Sequence, residues 1–492
     1  MSMSLGEQLK RRKPIVFRQH HHEGEELARN LTTFQLMMFG VGATVGTGIF
    51  FVLSESVPEA GPDVIISFLI AGLAAGLSAL CYAELASAIP VSGSTYSYAY
   101  HAMGELVAVI IAGCVLLEYG VATAAVAVGW SGYFNELLDS TIGVQIPQAL
   151  STSFIAGPGE DPTGGLLNLP AVVLVFMCMF LLLRGATESA RINSIMVIIK
   201  LGVLVLFVVI GLTAWNGSHF DNFFGAGIAG VTAAAGTIFF SFIGLDAVAT
   251  AGEEVKDPQR SLPRAIIGAL IIVTTVYVLV ALAGIAAKEA GWFETEEAQS
   301  AGLSQILNDI TGTSIWGTVL AAGAVISIFS VTLVTLYGQT RILFAIGRDG
   351  LISRKFTKVD RKTMAPNFNT IVVAIVVALI AGFVPSDYLW DTVSIGTLVA
   401  FSVVALGVIL LRRTHADLER PFRIPGYPVT PLLTIAACVW ILIGLPMTTW
   451  VIFLAWLAIV MAFYLAYGRR NATLNTYVDP EEIAEPRGKE DQ

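Results

Sequence analysis

Twelve apolar runs on the scale of a bilayer crossing decide what solvent this chain folds in. They lie near residues 31–53, 63–88, 105–137, 169–184, 190–215, 230–253, 262–287, 316–346, 369–384, 390–411, 429–447 and 449–467, and a membrane helix needs about 17–25 predominantly apolar residues. Strands of an outer-membrane barrel would show short alternating segments instead of continuous runs. Only 13% of the 492 residues are charged and the mean hydropathy is +0.74, whereas soluble domains carry about 25% charged residues. The fold class expected is an all-α polytopic membrane protein with twelve transmembrane helices. The first 30 residues are polar and the run behind them is too long for the apolar region of a cleavable leader, so none is expected. Cys81, Cys114, Cys178 and Cys438 stand singly in apolar runs without ligand-like spacing and read as packing residues, neither disulfides nor metal ligands.

Orientation follows from the basic residues. With the N-terminus inside, 26 of the 28 lysines and arginines fall on cytoplasmic segments, from Lys10-Arg11-Arg12-Lys13 through Arg341 to Lys362, Arg412 to Arg423 and Arg469-Arg470, as the positive-inside rule requires. Both termini are therefore expected in the cytoplasm. The net charge of −9 reflects acidic residues gathered on 289–309 and in the 479–492 tail, and does not point to a nucleic-acid partner. The two remaining basic residues are Lys288, on an outer loop, and Lys200, in the middle of the fifth run.

Lys200 lies about ten residues into its run, roughly 15 Å deep at 1.5 Å per residue, near the centre of a core about 30 Å thick. Its stem does not reach an interface from there. The bland reading is a lysine bonded to carbonyls that merely ties two helices. The functional reading is an amine that loads and releases a proton, since an ionisable group at this depth is costly unless it serves a purpose and has partners.

The first run contains "FGVGATVGTGIF", residues 39–50, with four glycines where a helix should be continuous. Gly40-x-Gly42-x-x-x-Gly46 imitates a dinucleotide-binding turn, but no strand precedes it and the acidic residue expected about 20 positions on is missing. Gly42-x-x-x-Gly46 also fits a helix-packing face. The third reading is a discontinuous helix whose freed amides hold a carboxylate in mid-membrane. A second interruption favours the third: the sixth run reads "GTIFFSFIGLDAVATAGEE", with Phe-Ile-Gly at its centre and Asp246 just behind. Five runs separate the two breaks, and five is odd, so the halves have opposite topology. That is the inverted repeat of a secondary transporter with a site at the midplane.

"GVGATVGTGIF", "ALCYAELASAIPVSGSTYSYAY", "FFSFIGLDAVATAGEEVKDPQRSLPRAI" and "GQTRILFAIGRDGLI" resemble the amino acid-polyamine-organocation superfamily, and most of all its bacterial cationic-amino-acid-transporter-type branch, over about residues 30–465. The resemblance implies a LeuT-type fold: a cytoplasmic segment 1–30, a transport core 31–411 of two five-helix inverted repeats, two peripheral helices in 412–468 and an acidic cytoplasmic tail 469–492. It implies an amino acid permease of the cytoplasmic membrane, without cofactor or metal, importing its substrate by proton symport. An exchanger or a nutrient sensor on the same fold is the alternative.

Carried over position by position, Thr47 and Gly48, next to Gly46, match the carboxylate-binding pair. Thr44, Phe240 and Ile243, with Ser241 between the latter two, match the stretch whose carbonyls meet the substrate amine. Lys200 matches a lysine that replaces a sodium ion in proton-coupled relatives and touches the backbone near Gly42. Thr335 matches a position bordering the side-chain pocket, where a small residue leaves room for longer substrates. Half-helix ends meet both charges of a zwitterion without an arginine.

Glu118, thirteen residues into the third run, is the other deep charge and reads equally as a helix tie or as a contact for a cationic substrate. Asp246 reads as a cap for the second half of the sixth run. Glu84, Glu253 and Glu254 read as interfacial or gate-adjacent, and His101 and His20-His21-His22 receive no chemistry. No nucleophile-base set and no ligand cluster stands in the runs, so an enzyme is not expected.

Overall fold

The computed structural model describes residues 5–15, 27–46, 48–155, 164–443 and 447–475. His20-His21-His22 and the acidic stretch 479–492 lie outside the described residues. Among the described residues the secondary structure is helical apart from one isolated parallel bridge between Leu31 and Val255. In chain order the helices that frame the core are α1 (Thr33–Thr44), α2 (Gly48–Ala60), α3 (Val64–Ala88), α4 (Ser94–Ala102), α5 (Glu105–Ile142), α6 (Leu169–Leu183), α7 (Ala186–Thr213), α8 (Gly227–Phe239), α9 (Ala247–Thr250), α10 (Pro258–Ala287), α11 (Ile315–Arg348), α12 (Asn367–Phe383), α13 (Ser386–Thr414), α14 (Val429–Ile443) and α15 (Met447–Phe463), with further helices at Leu5–Lys10, Gln148–Ser151, Glu296–Thr311 and Arg469–Asn471.

By length and composition, eight helical stretches suffice to cross a membrane, and α6, α12 and α14 are shorter apolar helices. The first run explains part of the difference from twelve. It is split into α1 and α2, of 12 and 13 residues, each about 18–20 Å long at 1.5 Å per residue and so short of a 30 Å core on its own.

Local chemistry sets where α1 begins. Thr32 accepts from the Gln35 amide and the Gln35 side chain accepts from the Thr32 amide, a capping box that satisfies two orphan donors. Just before it, Leu31 donates to the Glu254 carbonyl at 2.9 Å and accepts from the Lys256 amide at 3.0 Å, which ties the entry of α1 to the chain that follows α9.

Packing then sorts faces. In α7, Ser189, Asn193, Val197, Lys200, Leu204, Phe207 and Gly211 are buried, a stripe at helical spacing. Ile195, Ile198, Val205 and Val209 on the other side are exposed and form the lipid-facing surface. The buried stripe lies against α1, α10 and α11. Thus the same periodicity that buries Phe207 carries Lys200 and Asn193 inward. Outside this core, α14 packs on α13 and α3, while Trp440 and Ile443 stand exposed at its end.

Arg341, counted in the sequence among the basic residues of cytoplasmic segments, lies inside the packed helices. It is 1% exposed, donates from Nε to Glu254 Oε1 at 2.7 Å, and stacks 3.8 Å from the Tyr337 ring centroid, while the Tyr337 hydroxyl donates to the same Glu254 oxygen. Removing one member leaves a buried charge alone, at a cost of about 3–5 kcal/mol. Arg341→Met should therefore lower the unfolding temperature of the detergent-solubilised protein steeply, and the double variant with Glu254→Gln should recover part of the loss.

Other ion pairs are partly or wholly buried too. Arg348 meets Glu253, and Arg412 meets Glu84, whose carboxylate also accepts from the Ile424 amide. Glu84, read as interfacial or gate-adjacent, is 1% exposed. His101 is buried with Nδ1 2.8 Å from the Lys13 carbonyl; burial pushes its imidazole down to about 4, so the ring is neutral at ordinary pH.

Candidate functional site

The two interruptions predicted from glycine meet each other. Helix α1 stops at Thr44, with Val45 capping it in a non-helical conformation, and α2 begins at Gly48. Helix α8 tightens into a 3-10 turn over Phe240–Phe242, Ile243 turns extended, and Gly244 takes φ +108° before α9. That backbone strains any side chain, and a Cβ on Gly244 would also lie 2.9 Å from the Ala43 carbonyl oxygen. On the other strand of the crossing, a Cβ on Gly48 would sit 2.6 Å from Ser241 Oγ. Glycine at both positions lets the broken segments touch.

The carbonyls freed at the end of α1 all need partners, and most are supplied by side chains from other helices. Lys200 Nζ donates to Gly42 O at 2.9 Å, to Val45 O at 2.6 Å and to Ser330 Oγ at 3.5 Å. Ser327 Oγ donates to the same Val45 carbonyl at 2.8 Å. Ser330 in turn donates to Asn193 Oδ1, and Asn193 Nδ2 donates to Met38 O. The Thr44 carbonyl accepts from the Tyr277 hydroxyl. An ammonium has three donors, and three oxygens face this one.

On the amide side, the first turn of α2 starting at Gly48 presents helix N–H groups that have no intrahelical acceptor. Thr47 lies outside the described residues. Gly46 is buried, and a Cβ there would approach Val331 of α11 to 3.1 Å. One turn further along α11, Thr335 is 8% exposed with Oγ1 2.8 Å from Thr123 Oγ1 of α5. So α11 flanks the first break, with Thr335 near its edge.

Around the second break, Phe240 is 38% exposed and Ser241 is buried. The Phe240 carbonyl already accepts from the Ile243 amide in the local turn, and the Ser241 carbonyl accepts from Tyr277. Asp246 corrects the sequence reading: its side chain makes no capping bond, and its φ of −66° and ψ of −21° are helical where an N-cap residue is extended. Instead Tyr119 of α5 donates to Asp246 Oδ2 at 2.5 Å, and Oδ1 has no hydrogen-bond partner among the described residues. Asp246 also lines a small cavity with Ser78, Tyr82 and Phe401 that has room on the order of one water. Glu118 is 4% exposed beside Thr397 of α13.

Asn193, Tyr277, Ser327 and Ser330 went unread in the sequence. For Asn193 a signal existed, since it stands two helical turns before Lys200 on one face of α7. Hydroxyls in apolar helices carry no such mark.

Comparison with known proteins shows the family. The family described as amino acid permease matches residues 31–474. The methylthioribose transporter of Bacillus subtilis (strain 168) is 38% identical over 94% of this chain and 99% of its own length. The branched-chain amino acid permease BcaP of the same organism is 41% identical over 92% of this chain and 95% of its own. Vacuolar cationic amino acid transporter 2 of Arabidopsis thaliana is 36% identical over 84% of this chain and 64% of its own. A match over most of the chain, to relatives that are all transporters, makes this multi-pass membrane protein a transporter and not an enzyme: it belongs to the amino acid permease family, within the amino acid-polyamine-organocation superfamily.

Proposed function

We propose that this protein imports amino acids across the cytoplasmic membrane by proton symport, binding its substrate where the break between α1 and α2 crosses the break between α8 and α9. The architecture proposed is twelve membrane helices, with two inverted sets of five in 31–411 and two peripheral helices in 412–468 between cytoplasmic termini. The substrate carboxylate sits at the first turn of α2, near Gly46, Thr47 and Gly48. Its amine meets carbonyls around Thr44, Phe240, Ser241 and Ile243.

The observation that carries the reading is the cage around Lys200. Protonated, the amine satisfies Gly42 O, Val45 O and Ser330 Oγ together. Neutral, it keeps two donors for three oxygens. Val45 O is also served by Ser327, so loss of the proton strips no single oxygen but removes the charge and one of the donors that hold the end of α1 against α7 and α11. Protonation of Lys200 thereby favours one geometry of the break over another, which is the coupling a symporter needs. The test is uptake into proteoliposomes under an inward proton gradient, with and without a protonophore. Gradient-dependent accumulation supports the reading, and binding without any exchange would instead indicate a nutrient sensor.

Relatives are named for branched-chain and for cationic amino acids, and Thr335, small and at the rim of the break, leaves space for such side chains. Thr335→Met adds bulk there. It should shift competition profiles toward glycine- and alanine-sized substrates by about tenfold, on the scale of 1–3 kcal/mol for a misfitted methylene or two. Identical profiles for the two forms would remove Thr335 from the pocket.

A further inference from the structure

Chain ends are ordinarily the loosest part of a fold unless something ties them down, and here the two ends are tied to each other and to the same helices. Before α1, residues 8–13 run past the ends of α4, α5 and α11. Arg11 pairs with Glu105 in the first turn of α5, and the Glu105 amide donates to the Arg11 carbonyl at 3.0 Å. Two residues on, the Lys13 amide donates to the Tyr100 carbonyl, and its Nζ donates to Asp349 Oδ1 at 2.6 Å. Past the end of α15, residues 464–475 close over this strap. Tyr464 donates to the other oxygen of Glu105 at 2.6 Å, and Thr473 donates through its amide to the Asp349 carbonyl at 2.8 Å. Arg469 reaches Gln8 Oε1, and Arg11 reaches Asn475 Oδ1, both at 2.7 Å.

The charges favour this closed arrangement strongly. Asp349 follows the last residue of α11, the end of a helix where the dipole disfavours an acid. Lys13 offsets that, so the end of α11 depends on the strap. Glu105 is fully buried, and a buried carboxylate that loses its cation is costly. The same end of α11 leads on to the second break. Arg348, beside Asp349, pairs with Glu253 in the chain behind α9, and the Ser92 amide ahead of α4 donates to that carboxylate. Strap, α11 and the chain behind α9 are thus one connected unit.

Resting on the permease reading above, with both termini on the cytoplasmic side, we infer that the two chain ends form a clasp that holds the cytoplasmic end of the site shut, with 8–13 as the strap and 464–475 as its catch. Release of substrate to the cytoplasm requires the Lys13–Asp349 and Arg11–Glu105 pairs to part. The clasp gives α15, which stands outside the two proposed sets of five helices, a task in the transport cycle. It touches no substrate, and it is separate from the cage around Lys200.

Lys13→Gln loosens the strap without touching either break. Transport is measured in right-side-out and in inside-out vesicles. The expected half-saturation is about fivefold lower from the cytoplasmic face and higher by a similar factor from the outer face, because the population shifts toward the form open to the cytoplasm. Lys13→Asp combined with Asp349→Lys restores the pair in reverse and should bring both values back to within about twofold of wild type. A strap that only held the fold together would lower the unfolding temperature and leave the ratio of the two values unchanged. The second measurement joins Lys13→Cys to Asp349→Cys with a short bis-methanethiosulfonate linker. This double variant leaves no lone charge behind, so it remains usable should Lys13→Gln not fold, and the four native cysteines are buried away from the reagent. Linked protein should bind substrate within a few fold of the unlinked form, lose counterflow, and regain it on reduction. Counterflow by the linked protein at the unlinked rate, or an unchanged ratio of half-saturations in Lys13→Gln, overturns the inference. Wild-type counterflow separates the clasp from the reading it rests on: exchange by wild type leaves the permease reading standing whatever the linker does, and no exchange of any amino acid removes that reading itself.

Discussion

Lys200→Met is expected to abolish accumulation driven by a proton gradient while leaving substrate binding largely intact. Methionine has nearly the length of lysine without its charge, so the hole in α7 stays filled. What disappears is the set of donors to Gly42 O, Val45 O and Ser330 Oγ. Val45 O keeps Ser327 as a donor, which leaves the Gly42 carbonyl as the uncompensated group, at about 1–3 kcal/mol. That cost bears on the end of α1 and lowers stability moderately. The carboxylate and amine contacts proposed above lie elsewhere, at the first turn of α2 and at the α8 turn, so equilibrium binding should persist within a few fold. Uptake by the Met variant should be the same with and without a protonophore, down to the level of passive exchange. If the variant still concentrates substrate in a gradient-dependent way, Lys200 is a structural tie and the coupling carboxyl must be sought at Glu118.

Gly48→Leu should have the second large effect. Even a Cβ at Gly48 would stand 2.6 Å from Ser241 Oγ and 3.2 Å from Ser241 Cβ, and a leucine adds three further carbons in the gap between the breaks. Helix α2 itself does not object, since leucine is a better helix former than glycine by about 0.8 kcal/mol. The protein should therefore remain folded and monodisperse while its first-turn amides are separated from Ser241 and screened from a carboxylate. Loss of detectable substrate binding, with an unfolding temperature within a few degrees of wild type, is the expected pair of results. Binding retained within a few fold would place the substrate away from the crossing.

Much of this site was legible in the sequence, for identifiable reasons. Glycine is costly inside a helix and has specific uses, so its excess in 39–50 marked the first break, and Phe-Ile-Gly marked the second. A lone amine in an apolar run is equally conspicuous, and resemblance to a family added the expectation that it meets the backbone near Gly42. Other parts were not legible because they are tertiary. Arg341 and Glu254 are 87 residues apart, and each reads alone as an interfacial charge near a helix end. Tyr277, Ser327 and Ser330 sit in apolar helices where a hydroxyl fits the packing as well as it fits a site. Asp246 looked like a cap because it follows a break, but its helical backbone left the carboxylate free to meet Tyr119. The count of crossing helices falls short of the twelve runs because splitting the first run leaves two halves too short to span alone, and because α6, α12 and α14 are themselves short.

The account stands on one claim, that an amino acid crosses the membrane bound at the meeting of the two breaks. Counterflow of a labelled branched-chain or cationic amino acid into proteoliposomes preloaded with the unlabelled compound tests it most directly, with wild type and Gly48→Leu measured side by side at equal reconstituted amounts. Rapid exchange by wild type and none by Gly48→Leu is the result predicted. Exchange by Gly48→Leu at the wild-type rate, or binding by wild type without exchange of any amino acid, would contradict it.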